Sequence, residues 1–167
     1  RMLKAGVPFS TIPGTRYEYS NFGYATLGRI IANVSKQDYA KRVEATVLKP
    51  LGMASTRYEV RDVPPDKLAV GYRWENDRWS PEPVMQHGAF GAMGGLVTTG
   101  NDYARWIGYL LSAWPASDGE AALHKTIRAM QYGGGSLHSR RRPGKDGEAC
   151  RLSAIYGAGL VQANDCV

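Results

Sequence analysis

The stretch Gly14–Gly28, GTRYEYSNFGYATLG, decides how the chain is organised, because it places a tyrosine, a serine and an asparagine where a loop becomes a helix. After it, apolar residues recur at three- and four-residue spacing, which predicts an amphipathic helix from about Asn21 to Val34. The apolar positions are Phe22, Leu27, Ile30, Ile31 and Val34. Asn21 or Ser20 can cap the first turn.

Tyr19 precedes this predicted helix start, where backbone N–H groups lack partners and the helix dipole is positive. That environment favours negative charge on a phenol oxygen, as a general base requires. Asn21 can turn its carboxamide into the same space and offers one acceptor and two donors. The simpler interpretation makes Tyr19 a half-buried aromatic and Asn21 a helix cap.

Three phrases of the sequence carry a family resemblance. They are PGTRYEYSNFGYATLGRII (Pro13–Ile31), VLKPLGMASTRY (Val47–Tyr58) and GAMGGLVTTGNDYARWIGYLL (Gly91–Leu111). In this order and spacing they resemble the serine β-lactamase family in its class C branch, which also holds penicillin-binding carboxypeptidases and related esterases.

The resemblance implies an α+β fold that is mainly helical in this chain, like the helical region of the β-lactamase/transpeptidase-like fold. It further implies that residues 1–167 are one domain, a middle segment of a larger enzyme, with residues 150–167 leading back to the sheet domain. A bacterial, periplasmic or secreted location is the corresponding expectation.

By the same resemblance, Tyr19 is the general base that acts with a lysine on a nucleophilic serine, and Asn21 orients that lysine and the substrate amide. Ser20 fills the variable middle place of the Y-x-N motif and is expected at the substrate. Gly94 and Gly95 belong to a glycine-rich loop that borders the catalytic cleft in the family. The many glycines of this loop indicate tight turns or close backbone approach.

The other motifs of such an enzyme do not occur in these 167 residues. No serine is followed by lysine three places on, and Lys125-Thr126-Ile127 is not K-T-G. None of His87, His124 and His138 has glycine two places later, as H-x-G would require. We therefore expect this chain by itself to have no acyl-enzyme chemistry.

The intact protein is expected to acylate its serine with a β-lactam, a D-Ala-D-Ala peptide or a small ester, and then to deacylate it with water. Its partners would be that small-molecule or peptidoglycan-like substrate and the rest of its own chain. Two alternatives remain. The chain is a catalytically dead helical binding module, or it is a structural domain to which a swapped partner chain supplies the serine.

The rest of the chain predicts about four helices and a few strands. Tyr39, Val43 and Val47 align on a second helix, and AVGYRWENDRWSPEP indicates a hairpin joined at residues 75–77. Trp74 in that hairpin contacts substrate or, with Tyr72 and Trp79, forms a small satellite core.

Two later helices are predicted from capping signals. Thr99-x-x-Asp102 resembles a capping box, and Ser117-x-x-Glu120 predicts the start of a further helix. The apolar stripe that follows Asp102 is predicted to be core; it consists of Tyr103, Trp106, Ile107, Leu110, Leu111 and Trp114. Residues 136–148 are predicted to be a polar loop, and the segment after them a sheet strand.

Composition limits the remaining possibilities. With 43% hydrophobic and 22% charged residues the chain is globular rather than disordered, and its net charge of +6 is partly concentrated at 139–145. That basic run is predicted to be a solvated loop, since no nucleic-acid motif accompanies it. No membrane span, nucleotide-binding motif or cofactor is expected, and the histidines and cysteines lack the spacing of a metal site.

Overall fold

The computed structural model describes residues 4, 6–84, 86–132, 135–143, 149–156 and 160–164, and for the strands after residue 134 it describes the backbone alone. Four α-helices occur in this part of the chain: α1 (Asn21–Ser35), α2 (Tyr39–Val43), α3 (Gly100–Leu111) and α4 (Ala122–Gln131). The strands are β1 (Tyr72–Glu75), β2 (Arg78–Pro81), β3 (Gly135–Pro143), β4 (Ala149–Tyr156) and β5 (Val161–Asn164). The predicted mainly helical α+β composition is confirmed.

The chain divides into two compact units, residues 20–109 and residues 1–19 with 110–167. Each is described by itself below. That residues 1–167 form one domain of a larger enzyme, with 150–167 leading back to a sheet domain, stays a prediction.

Helix α1 of the first unit begins where the sequence predicts it. Ser20 is its N-cap, with extended backbone (φ −143°) and a hydroxyl that accepts a hydrogen bond from the Gly23 N–H at 2.9 Å. The helix ends at Ser35 because Lys36 adopts the left-handed conformation, with φ 55°.

A second helix packs against α1. Asp38 caps α2 by accepting from the backbone N–H groups of Ala40 and Lys41, and the helix continues through a π-helical turn, Glu44–Leu48. Helix α1 also contacts a short 3₁₀ turn, Gly88–Phe90. Helix α2 and the turn Gly88–Phe90 therefore both pack against α1.

The predicted hairpin is present in the same unit. Strands β1 and β2 pair antiparallel, and the two residues between them, Asn76 and Asp77, have φ of 51° and 56°. Two consecutive positive φ angles are typical of a type I′ turn, which suits the twist of a two-residue hairpin. Trp74 pairs with Trp79 across the ladder, and their rings meet edge to face at 5.3 Å.

A buried polar cluster fixes the start of α3. Thr99 caps the helix by accepting from the Asp102 N–H at 3.2 Å, as the capping box predicts. The Asp102 carboxylate does not turn back to the cap, however. It accepts from the Ser55 N–H at 2.7 Å and from the Thr56 hydroxyl at 2.9 Å. Asp102 thus ties α3 to the segment that follows α2, beside the bridge between Arg57 and Val97.

In the second unit, α4 starts later than predicted. The sequence predicts a start at Ser117, but Gly119 has φ +73° and the helix begins at Ala122. Glu120, the expected capping acid, instead forms an ion pair with Arg128, whose guanidinium also donates to the Ala113 carbonyl. Both charged side chains are mostly covered, so the pair is a structural link between α4 and the turn before it.

The segment after α4 also differs from its prediction. Residues 136–148 were predicted to be a loop, yet 135–143 form β3, which pairs antiparallel with β4, and β4 pairs with β5. The predicted single strand after the loop is two strands. Strand pairing rests on backbone hydrogen bonds, which a polar, basic sequence such as that of 139–143 does not prevent. Lys145 lies outside the described residues.

The predicted core differs most from the structure. The α1 stripe is largely exposed, up to 79% at Val34, and most of the α3 stripe is exposed as well. The described buried apolar residues are instead few: Leu48, Met53, Tyr58, Val60, Ala113 and Ile127. Periodicity identified the apolar faces correctly, but a stripe is buried only where another element covers it, and the elements that pack on α1 leave most of its stripe exposed. Among those residues no helix combines the length and apolarity that crossing a membrane needs.

We expect Asp102→Ala to destabilise the protein by about 2–3 kcal/mol, because it leaves the Ser55 N–H and the Thr56 hydroxyl without their acceptor. Thermal denaturation measures the effect. The control is Asp66→Ala, which removes an exposed carboxylate and should shift stability by no more than about 0.5 kcal/mol. Equal melting temperatures for the two variants would contradict the structural role of Asp102.

Stability should also depend on the Glu120–Arg128 pair in acid. The hydrogen bond from Arg128 lowers the pKa of Glu120, so the pair stabilises the fold at neutral pH and this contribution is lost as pH falls through the carboxyl range. Glu120→Gln should therefore lower the melting temperature at neutral pH and converge with the unmodified protein in acid. Glu44→Gln, at the exposed pair with Lys49, is the control and should change little.

Candidate functional site

The loop-to-helix junction places the predicted catalytic residues at the surface. Tyr19 directly precedes the N-cap of α1 and is 74% exposed. Asn21 is the first residue of the helix and is also exposed. Ser20, predicted at the substrate, uses its hydroxyl to cap α1. The contact with substrate predicted for Ser20 therefore requires either this hydroxyl, which already caps α1, or the Ser20 backbone.

The glycine-rich loop, residues 88–95, folds closely around one side chain, that of His87. Gly95 has φ +105°, and a Cβ on it would lie 2.5 Å from the His87 Cβ. A Cβ on Gly91 would lie 3.0 Å from His87 Nδ1. Gly94, by contrast, has open space around it. The expectation of close backbone approach is therefore correct at Gly91 and Gly95, and the group that is approached is His87.

His87 itself makes well-defined polar contacts. Its Nε2 lies 3.1 Å from Glu59 Oε1, and its Nδ1 lies 3.0 Å from the Gly88 carbonyl oxygen. Its ring meets Tyr58 edge to face at a centroid distance of 5.4 Å, and Tyr58 meets Tyr39 of α2 in the same way at 5.9 Å. Only 13% of the His87 side chain is exposed.

Tyr58 is the buried centre of this cluster. Burial, followed by the hydrogen bond with Tyr39, raises the pKa of Tyr58 well above its ordinary value. Tyr58 therefore stays a neutral phenol at any physiological pH. It supports the neighbouring rings and does not carry charge.

A cavity of about 120 Å³ opens beside the cluster, between α1, the start of α2 and the loop 88–95. Gly28 of α1 lines it and is buried against Tyr39 and Ala92, so that a side chain at position 28 would collide with Ala92. The charged residues at its wall are Arg29 and Asp38, and His87 lines it as well.

The predicted site residues are thus only partly brought together. Trp74 is 54% exposed, and its ring contact is with Trp79 inside the hairpin, not with Gly94 or Gly95. Trp74 and Trp79 pair as the satellite-core interpretation expects, but both rings and that of Tyr72 are exposed. Substrate contact by Trp74 stays a prediction.

Sequence reasoning missed the residues of the cluster. His87 was considered only as the first residue of an H-x-G motif, and Glu59, its partner, lies 28 positions away. No motif joins the two residues. The glycines that surround His87 were the one available signal, and they indicate close approach without naming the group approached.

The described residues contain no group of three or more histidine, cysteine, aspartate or glutamate side chains that could hold a metal ion. The sequence predicts that the two cysteines take no part in a metal site. The structure describes only the backbone of Cys150 and does not describe Cys166.

A family model described as "Beta-lactamase" matches residues 1–163. "Beta-lactamase-like protein 2" of Dictyostelium discoideum is 36% identical over 98 residues, covering 58% of this chain and 18% of that protein. "Protein flp" of Staphylococcus aureus is 33% identical over 104 residues, or 60% of this chain and 20% of its own length.

Solved structures show the same fold. The octameric penicillin-binding protein homologue of Pyrococcus abyssi aligns with a TM-score of 0.69 at 28% identity, over 90% of this chain and 31% of that one. A class C β-lactamase aligns with a TM-score of 0.65 at 22% identity, over 96% of this chain and 40% of its own. The chain spans about a fifth of the curated relatives and about a third of these structures. The predicted fold and family resemblance are confirmed.

Proposed function

The chain belongs to the β-lactamase family, and from this premise we propose that it is the Y-x-N-bearing part of a serine hydrolase that works through an acyl-enzyme. The observation that carries the proposal is the start of α1. Ser20 caps the helix with its own hydroxyl, while Tyr19 before it and Asn21 after it keep exposed side chains.

In the proposed mechanism the phenolate oxygen of Tyr19 takes the proton of a serine nucleophile as that serine attacks the substrate carbonyl, and passes it to the leaving amine or alkoxide as the bond to the carbonyl carbon breaks. It then takes a proton from the water that attacks the acyl-enzyme and returns it to the serine oxygen as the ester bond breaks. A helix start favours the negative charge that the oxygen carries between these transfers. Asn21 presents an amide that can hydrogen-bond the substrate amide or a neighbouring lysine.

The substrate proposed is a β-lactam, a D-Ala-D-Ala peptide or a small ester. In support, the solved structures that share this fold include class C β-lactamases and a protein named as a D-alanine carboxypeptidase from Burkholderia cenocepacia. The latter is 21% identical to this chain, and its likeness concerns the fold alone. All three substrates offer a carbonyl to a serine, and pocket shape chooses among them. Gly94, exposed and without close neighbours, is proposed to face the substrate with Gly95 beside it. A periplasmic or secreted location belongs to the same proposal.

Tyr19→Phe, made in a protein that also contains the serine and its lysine, should lower kcat by about 10²–10⁴ and change KM little. The ring is kept and the proton-carrying oxygen is lost. Steady-state kinetics with a chromogenic cephalosporin and an activated ester measure this. Tyr17→Phe, a tyrosine two residues earlier, is the matched control. A Tyr19→Phe enzyme that melts earlier but turns over normally per folded molecule would make the residue structural.

Asn21→Ala should also reduce turnover, by an amount that depends on the substrate, because its amide is proposed to contact substrate as well as lysine. Ser20→Ala serves as the comparison. It removes the α1 cap and should cost about 1 kcal/mol of stability with kcat nearly unchanged. A loss of turnover in Ser20→Ala as large as that in Tyr19→Phe would contradict the division of roles.

The 167-residue chain alone should form no covalent adduct, since it contains no S-x-x-K. Loss of a nucleophile typically costs about 10⁶ in kcat. Intact mass spectrometry after incubation with penicillin measures the result. Stoichiometric acylation of any serine of this chain would overturn the assignment of the nucleophile to another segment.

A further inference from the structure

His87 is largely buried and hydrogen-bonded at both ring nitrogens, yet the proposed mechanism makes no use of it. Both of its partners are acceptors. The Gly88 carbonyl oxygen faces Nδ1 at 3.0 Å, and the Glu59 carboxylate faces Nε2 at 3.1 Å. A neutral imidazole has one N–H and can satisfy only one of them, whereas an imidazolium donates to both. The geometry therefore fits a cationic ring paired with an ionised Glu59.

The charges around this pair are few. Arg61 Nη2 lies 3.5 Å from the second oxygen of Glu59, so Arg61 and His87 contact different oxygens of the same carboxylate. Arg29 and Asp38 line the cavity that His87 also lines, one of each sign. Tyr58 and its partner Tyr39 contribute neutral rings. Glu59 is thus the one charged group in hydrogen-bond contact with His87 in the described part of the chain.

The glycine-rich loop is shaped around the same ring. Gly95 approaches the His87 Cβ more closely than a residue with a side chain could, Gly91 lies tightly against Nδ1, and the Gly88 carbonyl faces the same nitrogen. Phe90 donates its backbone N–H to the His87 carbonyl at 2.9 Å, which closes the 3₁₀ turn. A movement of the His87 side chain would therefore displace the loop at Gly88, Gly91 and Gly95.

We propose that His87, as an imidazolium held by Glu59, is the positioning residue of the loop 88–95, and that through this loop it governs substrate binding. The second half rests on the proposed function, in which Gly94 and Gly95 face the substrate.

The first experiment follows the ring and the loop by nuclear magnetic resonance on this chain. Long-range ¹⁵N–¹H spectra of uniformly ¹⁵N-labelled protein should show both His87 nitrogens protonated, as the two acceptors facing them require. Glu59→Gln should leave one of the two nitrogens without its proton and should shift the amide signals of Gly91 and Gly95. Asp62→Asn, three residues beyond Glu59 and without a described contact to His87, is the control and should leave the ring and the glycine amides unchanged.

Two results would overturn the positioning role. One is a His87 ring with a single protonated nitrogen in the unmodified protein. The other is an unchanged set of Gly91 and Gly95 amide signals in Glu59→Gln. Because Glu59→Gln is nearly isosteric, a loss of folding does not complicate either result.

The second experiment measures turnover in a protein that also contains the serine. Glu59→Gln and His87→Gln should raise KM about tenfold with a smaller change in kcat. His87→Gln, which keeps one donor, should be less impaired than His87→Ala. Normal turnover with unchanged KM in these variants would refute the link to substrate. Absent turnover in the unmodified protein, together with the expected signals of the ring and the glycine amides, would refute the proposed function and leave the positioning role standing.

Discussion

The close contact between Gly28 and Ala92 is the constraint on which the arrangement of the 20–109 unit depends. Because position 28 has no side chain, α1 can lie directly against the loop 88–95 and against Tyr39. Any larger residue there would separate the helix from the loop. The helix that carries Asn21 therefore packs directly against the loop that carries Gly94 and Gly95, through the contact of Gly28 with Ala92. On the Tyr39 side of this contact, the rings of Tyr39, Tyr58 and His87 meet edge to face.

Local signals in the sequence predicted the elements well. The α1 boundaries, the hairpin around Asn76-Asp77 and the Thr99 cap each depend on interactions between residues a few positions apart, which a sequence displays directly. The late start of α4 and the pairing of 135–143 were missed because they depend on partners at a distance, Arg128 and strand β4. The same limit applies to the core, since a stripe does not reveal what covers it.

The candidate site shows the same division. Tyr19 and Asn21, whose catalytic roles stay a prediction, could be named from the sequence because the Y-x-N motif lies within three residues. His87 and Glu59 could not be paired from the sequence, because they lie 28 positions apart and meet only in the folded chain. Asp102 is an intermediate case. The spacing of Thr99 and Asp102 predicted the helix cap, but the hydrogen bonds of the Asp102 carboxylate to Ser55 and Thr56 span more than forty positions.

The tryptophan pair of the hairpin has a practical consequence. Trp74 and Trp79 hold their rings 5.3 Å apart at an interplanar angle of 70°, on two strands joined by a two-residue turn. Two indoles fixed at a crossed angle and short distance couple their electronic transitions. The hairpin therefore carries its own exciton signal in circular dichroism, which vanishes when the strands separate. Local opening of this hairpin can be followed optically, without a label and apart from the helices.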